Sequence, residues 1–362
     1  MSEFLINDFL KKAVEKGVSD IHLKMGHPPA CRFSGKIYPV KMPDLTEEDF
    51  VEILNTIVPQ GVRNKVFTNY ELDFSYEIPG VSRFRVNLSR ELGKLFFVIR
   101  VIPYEIPTLE QLNLPDSLYK FSKLNNGIVL VTGPTGSGKS STLAALINDI
   151  NKTAHKHIIT IEDPVEFVFE PKHSIITQRQ VGSDTSSFAD GLKYAMRQDP
   201  DVILIGEIRD RETVSAALKA AETGHLVFAT MHTNDAIHTI NRIIGFFDPN
   251  DRESVKHQIA QTLKGTVSQR LVPTKDGKGR IPANDILFVT TTVQDFINKD
   301  KFEGIYELMS NNSYEGSQTM NLSLFNLYEK GIITKEAAIE TSDNKNELEL
   351  MMKGVFRSAS GV

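Results

Sequence analysis

The sequence predicts an α/β protein in which a strand–loop–helix core follows a small α+β domain and precedes a helical tail. Three observations predict this. Short apolar runs at 128–131, 157–161, 202–205 and 226–229 alternate with loops and helical spacing, the pattern of a parallel sheet. Residues from Ser19 to about Pro103 instead carry short β-rich pieces broken by turns. From about Thr291 the apolar residues keep helical spacing alone.

In chain order, Phe4, Leu5, Phe9, Leu10, Ala13 and Val14 make one apolar face of a helix over 4–16 that stops at Gly17. The β-rich pieces that follow are 20–24, 31–40, 72–78, 83–87 and 95–101, and 45–57 reads as a helix. Pro103, Pro107 and Pro115 punctuate a linker. The tail predicts helices over 292–299, 301–310, 321–330, 335–341 and 346–356.

The length suggests two or three domains, and 40% hydrophobic residues suffice for their cores. No apolar run approaches the ~18 residues of a membrane span. The start MSEFLINDFLKKAVEK has early acids and no small-residue cleavage site, so it does not read as a signal peptide. The single cysteine, Cys31, excludes intrachain disulfides and a thiolate zinc cluster, and is expected to be a buried small residue in a reducing cytoplasm. A net charge of −5 weighs mildly against nucleic acid as the main partner.

The most specific motif is Gly133-Pro134-Thr135-Gly136-Ser137-Gly138-Lys139-Ser140, which matches G-x-x-x-x-G-K-[ST] at every fixed position, between an apolar strand and a helix. Three glycines let the backbone turn successive N–H groups toward a polyphosphate, and the new helix aims its positive end there. Lys139 is then placed for the β- and γ-phosphates, Ser140 for Mg²⁺ and Ser141 for the first turn beyond it. These residues imply binding of ATP or a similar nucleotide with Mg²⁺. The run 202–205 ends at Glu207, the Walker B arrangement of a carboxylate that reaches the metal. Glu162, Asp163 and Glu166 follow the run 157–161. One of them suits activation of water, and a solvated acidic turn explains them equally well. His225 and His232 flank the fourth run. They do not have metal-pair spacing, and a γ-phosphate sensor and a structural histidine both remain open for His232. Arginines at 83, 85, 90, 100, 197 and 209 are candidates to stabilise the transferred phosphoryl group, where one arginine contributes roughly 10³–10⁵ in rate. The residues alone do not choose among them. In a parallel sheet all four strand ends converge on one crevice.

Taken together, GPTGSGKSS, TIEDPVEF, RQDPDVILIGEIRD and TGHLVFATMHTNDA, in this order and spacing, resemble the secretion ATPase superfamily. Within it they resemble the twitching-motility ATPases of the PilT/PilU type, which drive retraction of type IV pili. The resemblance runs from SDIHLKMGHPPACRFSGKI to GSQTMNLSLFNLYEKGIIT, nearly the whole chain. It implies a PAS-like N-terminal domain over 1–103, a linker over 104–115, a RecA-like P-loop ATPase core over 116–290 and a helical C-terminal region over 291–362. It also implies a homo-hexameric ring that hydrolyses ATP with Mg²⁺ at the inner face of the cytoplasmic membrane. There the ring would act on the inner-membrane pilus platform protein, beside a second pilus ATPase, without membrane insertion or direct nucleic-acid binding. The carried-over roles are catalytic glutamate for Glu166, Walker B glutamate for Glu207, His-box histidines for His225 and His232, and phosphate-reaching arginines for Arg85 and Arg100.

Pilus-assembly and type II secretion ATPases carry an extra N-terminal domain and a four-cysteine zinc insertion; neither is expected here, since residue 1 opens close to the PAS-like domain and there is one cysteine, and this points to the retraction branch. The stretch 291–298, TTVQDFIN, keeps the spacing of the retraction-type AIRNLIRE helix but loses both of its arginines. Ser141 stands where the family often has Thr. An accessory PilU-like ring subunit is the alternative reading, and a RecA-like nucleic-acid motor a more distant one. Binding without turnover would mark the first, and salt-sensitive stimulation by nucleic acid the second.

Overall fold

The computed structural model describes residues 4–33, 35–102, 105–310 and 315–354, so Pro103 and the end of the last expected helix, at 355–356, lie outside the described residues. The chain divides into two compact units, Met1–Glu105 with Pro164–Val168, and Ile106–Asp163 with Phe169–Val362.

In the first unit the opening helix, Ile6–Glu15, buries Ile6, Leu10 and Ala13, one face of a 3.6-residue period. Leu5, expected on that face, precedes the helix and is 54% exposed. Gly17, at φ 69°, turns the chain out of the helix. The helix Glu47–Ile57 starts at a capping box in which the Thr46 side chain and Asp49 satisfy each other's backbone N–H groups. Six antiparallel strands, β1 (Asp20–Lys24), β2 (Ala30–Phe33), β3 (Lys36–Pro39), β4 (Leu72–Ile78), β5 (Ser82–Glu91) and β6 (Lys94–Ile102), lie in the order β3-β2-β1-β6-β5-β4. The β-rich piece over 31–40 falls in the hairpin β2–β3. Ile21, Leu23, Phe84, Val86, Phe97 and Ile99 alternate onto one sheet face and share a core with Leu10, Phe50 and Ile53 of the helices. Cys31, expected buried, is half-buried because β2 lies toward the edge of the sheet, and its partial burial raises the thiol pKa.

The second unit is built on seven strands: β7 (Gly127–Thr132), β8 (His157–Glu162), β9 (Ile175–Gln180), β10 (Val202–Ile205), β11 (Leu226–Met231), β12 (Leu263–Pro273) and β13 (Arg280–Phe288). Their order is β13-β12-β7-β11-β10-β8-β9, parallel throughout except for β13, which pairs antiparallel with β12. Every residue of β7, β10 and β11 is buried, as a sheet covered on both faces requires. The helical tail comprises Thr291–Asn298, Phe302–Ser310, Met320–Glu329, Lys335–Thr341 and Lys345–Met352. Its Leu324, Ile333, Ala338 and Leu348 join Val272 and Ile281 of the β12–β13 pair in a second core. Among the described residues no helix is long and apolar enough to cross a membrane.

Candidate functional site

The neighbouring strands β7, β11, β10 and β8 run the same way, so their carboxyl ends share one edge of the sheet. The glycine-rich loop, His232, Glu207 and the pair Glu162–Asp163 therefore stand along that edge, where open α/β sheets bind ligands. Glu166 falls in the segment Pro164–Val168, which is counted with the first unit.

The loop passes from β7 into the helix Lys139–Thr153. Gly133, Gly136 and Gly138 take φ of 138°, 78° and 92°. A Cβ on Gly133 would lie 2.3 Å from the Gln269 carbonyl oxygen, and one on Gly138 would lie 2.8 Å from the Gln269 amide nitrogen. Pro134, Thr135 and Gly136 form an exposed crest, and Ser137 is buried behind it with no partner for its Oγ among the described residues. The helix has no side-chain cap, so its first N–H groups, with half-buried Ser140 and Ser141, present the positive end of the dipole. Lys139 Nζ donates to the carbonyls of Gly133 at 2.8 Å and Pro134 at 3.1 Å. A cradle that a Cβ would fill, an uncapped helix and an unpartnered buried hydroxyl fit a polyphosphate. Ser140 and Glu207 supply the hard oxygen donors that suit its divalent cation.

Gln269 was not legible as a site residue. Buried on β12, it donates from Nε2 to the Ser137 carbonyl at 2.7 Å and accepts from Thr142 Oγ1 at 2.8 Å. It thereby clamps the loop to the helix that follows. Only the pairing of β12 with β7 brings it there.

Glu207 sits on a segment tied to both neighbouring strands, Gly206 N–H donating to Ile161 O and Ile208 N–H to Thr230 O. One carboxylate oxygen is 2.6 Å from the Arg209 guanidinium, and the other is 3.3 Å from His232 Nε2. Burial works to raise its pKa, but the Arg209 hydrogen bond and the charges of Arg209, His232 and Lys139 outweigh it. Glu207 is held below the usual carboxylate range. Glu162 is buried and accepts from Thr160 and Gln178, while Asp163 is exposed. His225 lies at the amino end of β11, the opposite end from His232, where Nδ1 is 2.9 Å from the Ala220 carbonyl. Within the unit it is not part of the strand-end group.

In the first unit, Ser75, Arg85, Arg100, Asp20 and Arg32 form one row across β4, β5, β6, β1 and β2. Arg100 Nε donates to Asp20 at 2.8 Å, and Arg32 approaches the same carboxylate at 3.5 Å. Burial works to raise the Asp20 pKa, and these two cations with the Ser19 hydroxyl bring it below its ordinary value. Arg85 has no ion pair among the described residues. Arg90 donates to the Val66 carbonyl, and Arg197 is exposed.

A family model for type II/IV secretion system proteins matches residues 85–353. The type IV pilus retraction ATPase PilT of Pseudomonas aeruginosa is 40% identical over 335 residues, 92% of this chain and 97% of that protein. The type IV pilus ATPase PilU of the same organism is 41% identical over 344 residues, 95% of this chain and 90% of that one. A crystal structure of the pilus retraction motor PilT with bound ADP superposes with a TM-score of 0.90 at 47% identity, covering 96% of this chain and 99% of that chain. This chain belongs to the type II/IV secretion system protein family, within its branch of PilT- and PilU-type twitching-motility ATPases.

Proposed function

We propose that the chain is a Mg²⁺-dependent ATP hydrolase that powers type IV pilus retraction as a homo-hexameric ring. The observation that carries this reading is the single sheet edge on which an uncapped glycine-rich loop, Lys139, Glu207 and His232 meet. In this reading Lys139 and the N–H groups of the helix Lys139–Thr153 hold the phosphates, and Ser140 and Glu207 hold Mg²⁺, which neutralises phosphate charge. Glu166 activates water, His232 senses the γ-phosphate, and Arg85 or Arg100 of a neighbouring subunit stabilises the transferred group. Of the two arginines Arg85 is favoured, since Arg100 is already committed to Asp20. Residues 1–103 then form the PAS-like domain, 104–115 the linker, 116–290 the RecA-like core and 291–362 the helical region. The ring works in the cytoplasm against the inner-membrane platform protein, with a second pilus ATPase as a further partner.

Near-equal identity to PilT and PilU supports a second reading, an accessory ring subunit with little turnover of its own. Lys139→Ala tests the first. It is expected to abolish phosphate release and weaken ATP binding, and turnover at the wild-type rate would refute the assignment of the loop.

A further inference from the structure

We propose that Arg209 gates the divalent cation at Glu207, leaving the carboxylate for Asp163 when the metal enters. The inference rests on the metal–nucleotide reading of this sheet edge. Both Glu207 oxygens are engaged, one by the Arg209 guanidinium at 2.6 Å and one by His232 Nε2 at 3.3 Å. Each oxygen keeps a lone pair for a metal, but the positive guanidinium beside one of them repels an entering cation, so metal entry favours its withdrawal. His232 directly follows β11, and its imidazole makes the longer contact, at 3.3 Å. Arg209 instead stands on the irregular segment between β10 and the helix Arg211–Glu222, with 62% of its side chain exposed. Glu207 is its one ion-pair partner among the described residues. An arginine so exposed gives up an ion pair easily.

A second seat is at hand. Asp163 is exposed at the carboxyl end of β8, beside β10 in the sheet, and its charge already acts on Arg209. Transfer between the two carboxylates keeps the guanidinium paired while freeing Glu207. Arg209 is thus a positioning residue that sets metal affinity, distinct from an arginine that stabilises the reacting phosphate.

The test is Mn²⁺ binding to the full chain in the presence of ADP, followed by electron paramagnetic resonance, with Mg²⁺-dependent ATP turnover alongside. Arg209→Ala is expected to lower the Mn²⁺ half-saturation by roughly 2- to 5-fold, the worth of one exposed ion pair. Arg209→Lys should fall between wild type and Arg209→Ala, and Asp163→Asn should raise the half-saturation. Unchanged or weaker Mn²⁺ binding in Arg209→Ala overturns the gate, as does a fall in kcat with Mn²⁺ binding unaltered. A wild-type chain with no metal-dependent nucleotide binding overturns the reading of the site itself, and the gate with it.

Discussion

At the scale of single residues, the glycine-rich loop is held from outside itself. Gln269 bonds the Ser137 carbonyl and the Thr142 hydroxyl, and its backbone oxygen fills the space where Gly133 would carry a Cβ. Gln269→Ala leaves the buried Ser137 carbonyl without its side-chain donor and the Thr142 hydroxyl with the Gly138 carbonyl alone, at a cost of about 1–3 kcal/mol. Calorimetry should show a lowered unfolding temperature and weakened ADP binding. Gly136 gives the contrast, because a Cβ there meets open space and only φ 78° opposes it. Gly136→Ala should therefore cost about 1–2 kcal/mol, with the loop still closed. If Gln269→Ala bound ADP as tightly as wild type, the clamp would have no role in the site.

At the scale of elements, the strands that carry the strand-end residues were legible because a parallel strand covered on both faces is an unbroken apolar run. β9, β12 and β13 were not. β12 mixes Lys264, Gly265, Ser268, Gln269 and Arg270, and β13 buries Asn284 and Asp285, so neither shows a clean period. Asp285 explains its own place through tertiary contacts. It accepts from the N–H groups of Ala236 and Met320, the first residues of the helices Ala236–Gly245 and Met320–Glu329. Complete burial, followed by the charge of Asp235, pushes its pKa up to about 7 from the ordinary 3.8. The folded chain therefore holds an extra proton between those two values, and its stability falls as pH rises across that window. Urea unfolding should show wild type losing stability relative to Asp285→Asn from pH 3.8 to about 7, then running parallel above it. Parallel curves through the whole window would contradict this.

At the scale of the whole molecule, the order of motifs along the chain announced the nucleotide site, while the choice among arginines needed the sheet register. No sequence pattern shows that Arg100 faces Asp20, with Arg85 next in the row and without an ion pair among the described residues. In the proposed ring motor the Walker B carboxylate and an N-domain arginine of a neighbouring subunit act on the same nucleotide. The most direct test is ATP turnover by purified wild type, Glu207→Ala and Arg85→Ala, with assembly followed by light scattering. Wild type is expected to hydrolyse ATP as a hexamer, and each variant to assemble but lose turnover, by roughly 10³-fold or more for a transition-state arginine. Wild type that assembles and binds ATP without hydrolysing it, or Arg85→Ala with undiminished turnover, would contradict it.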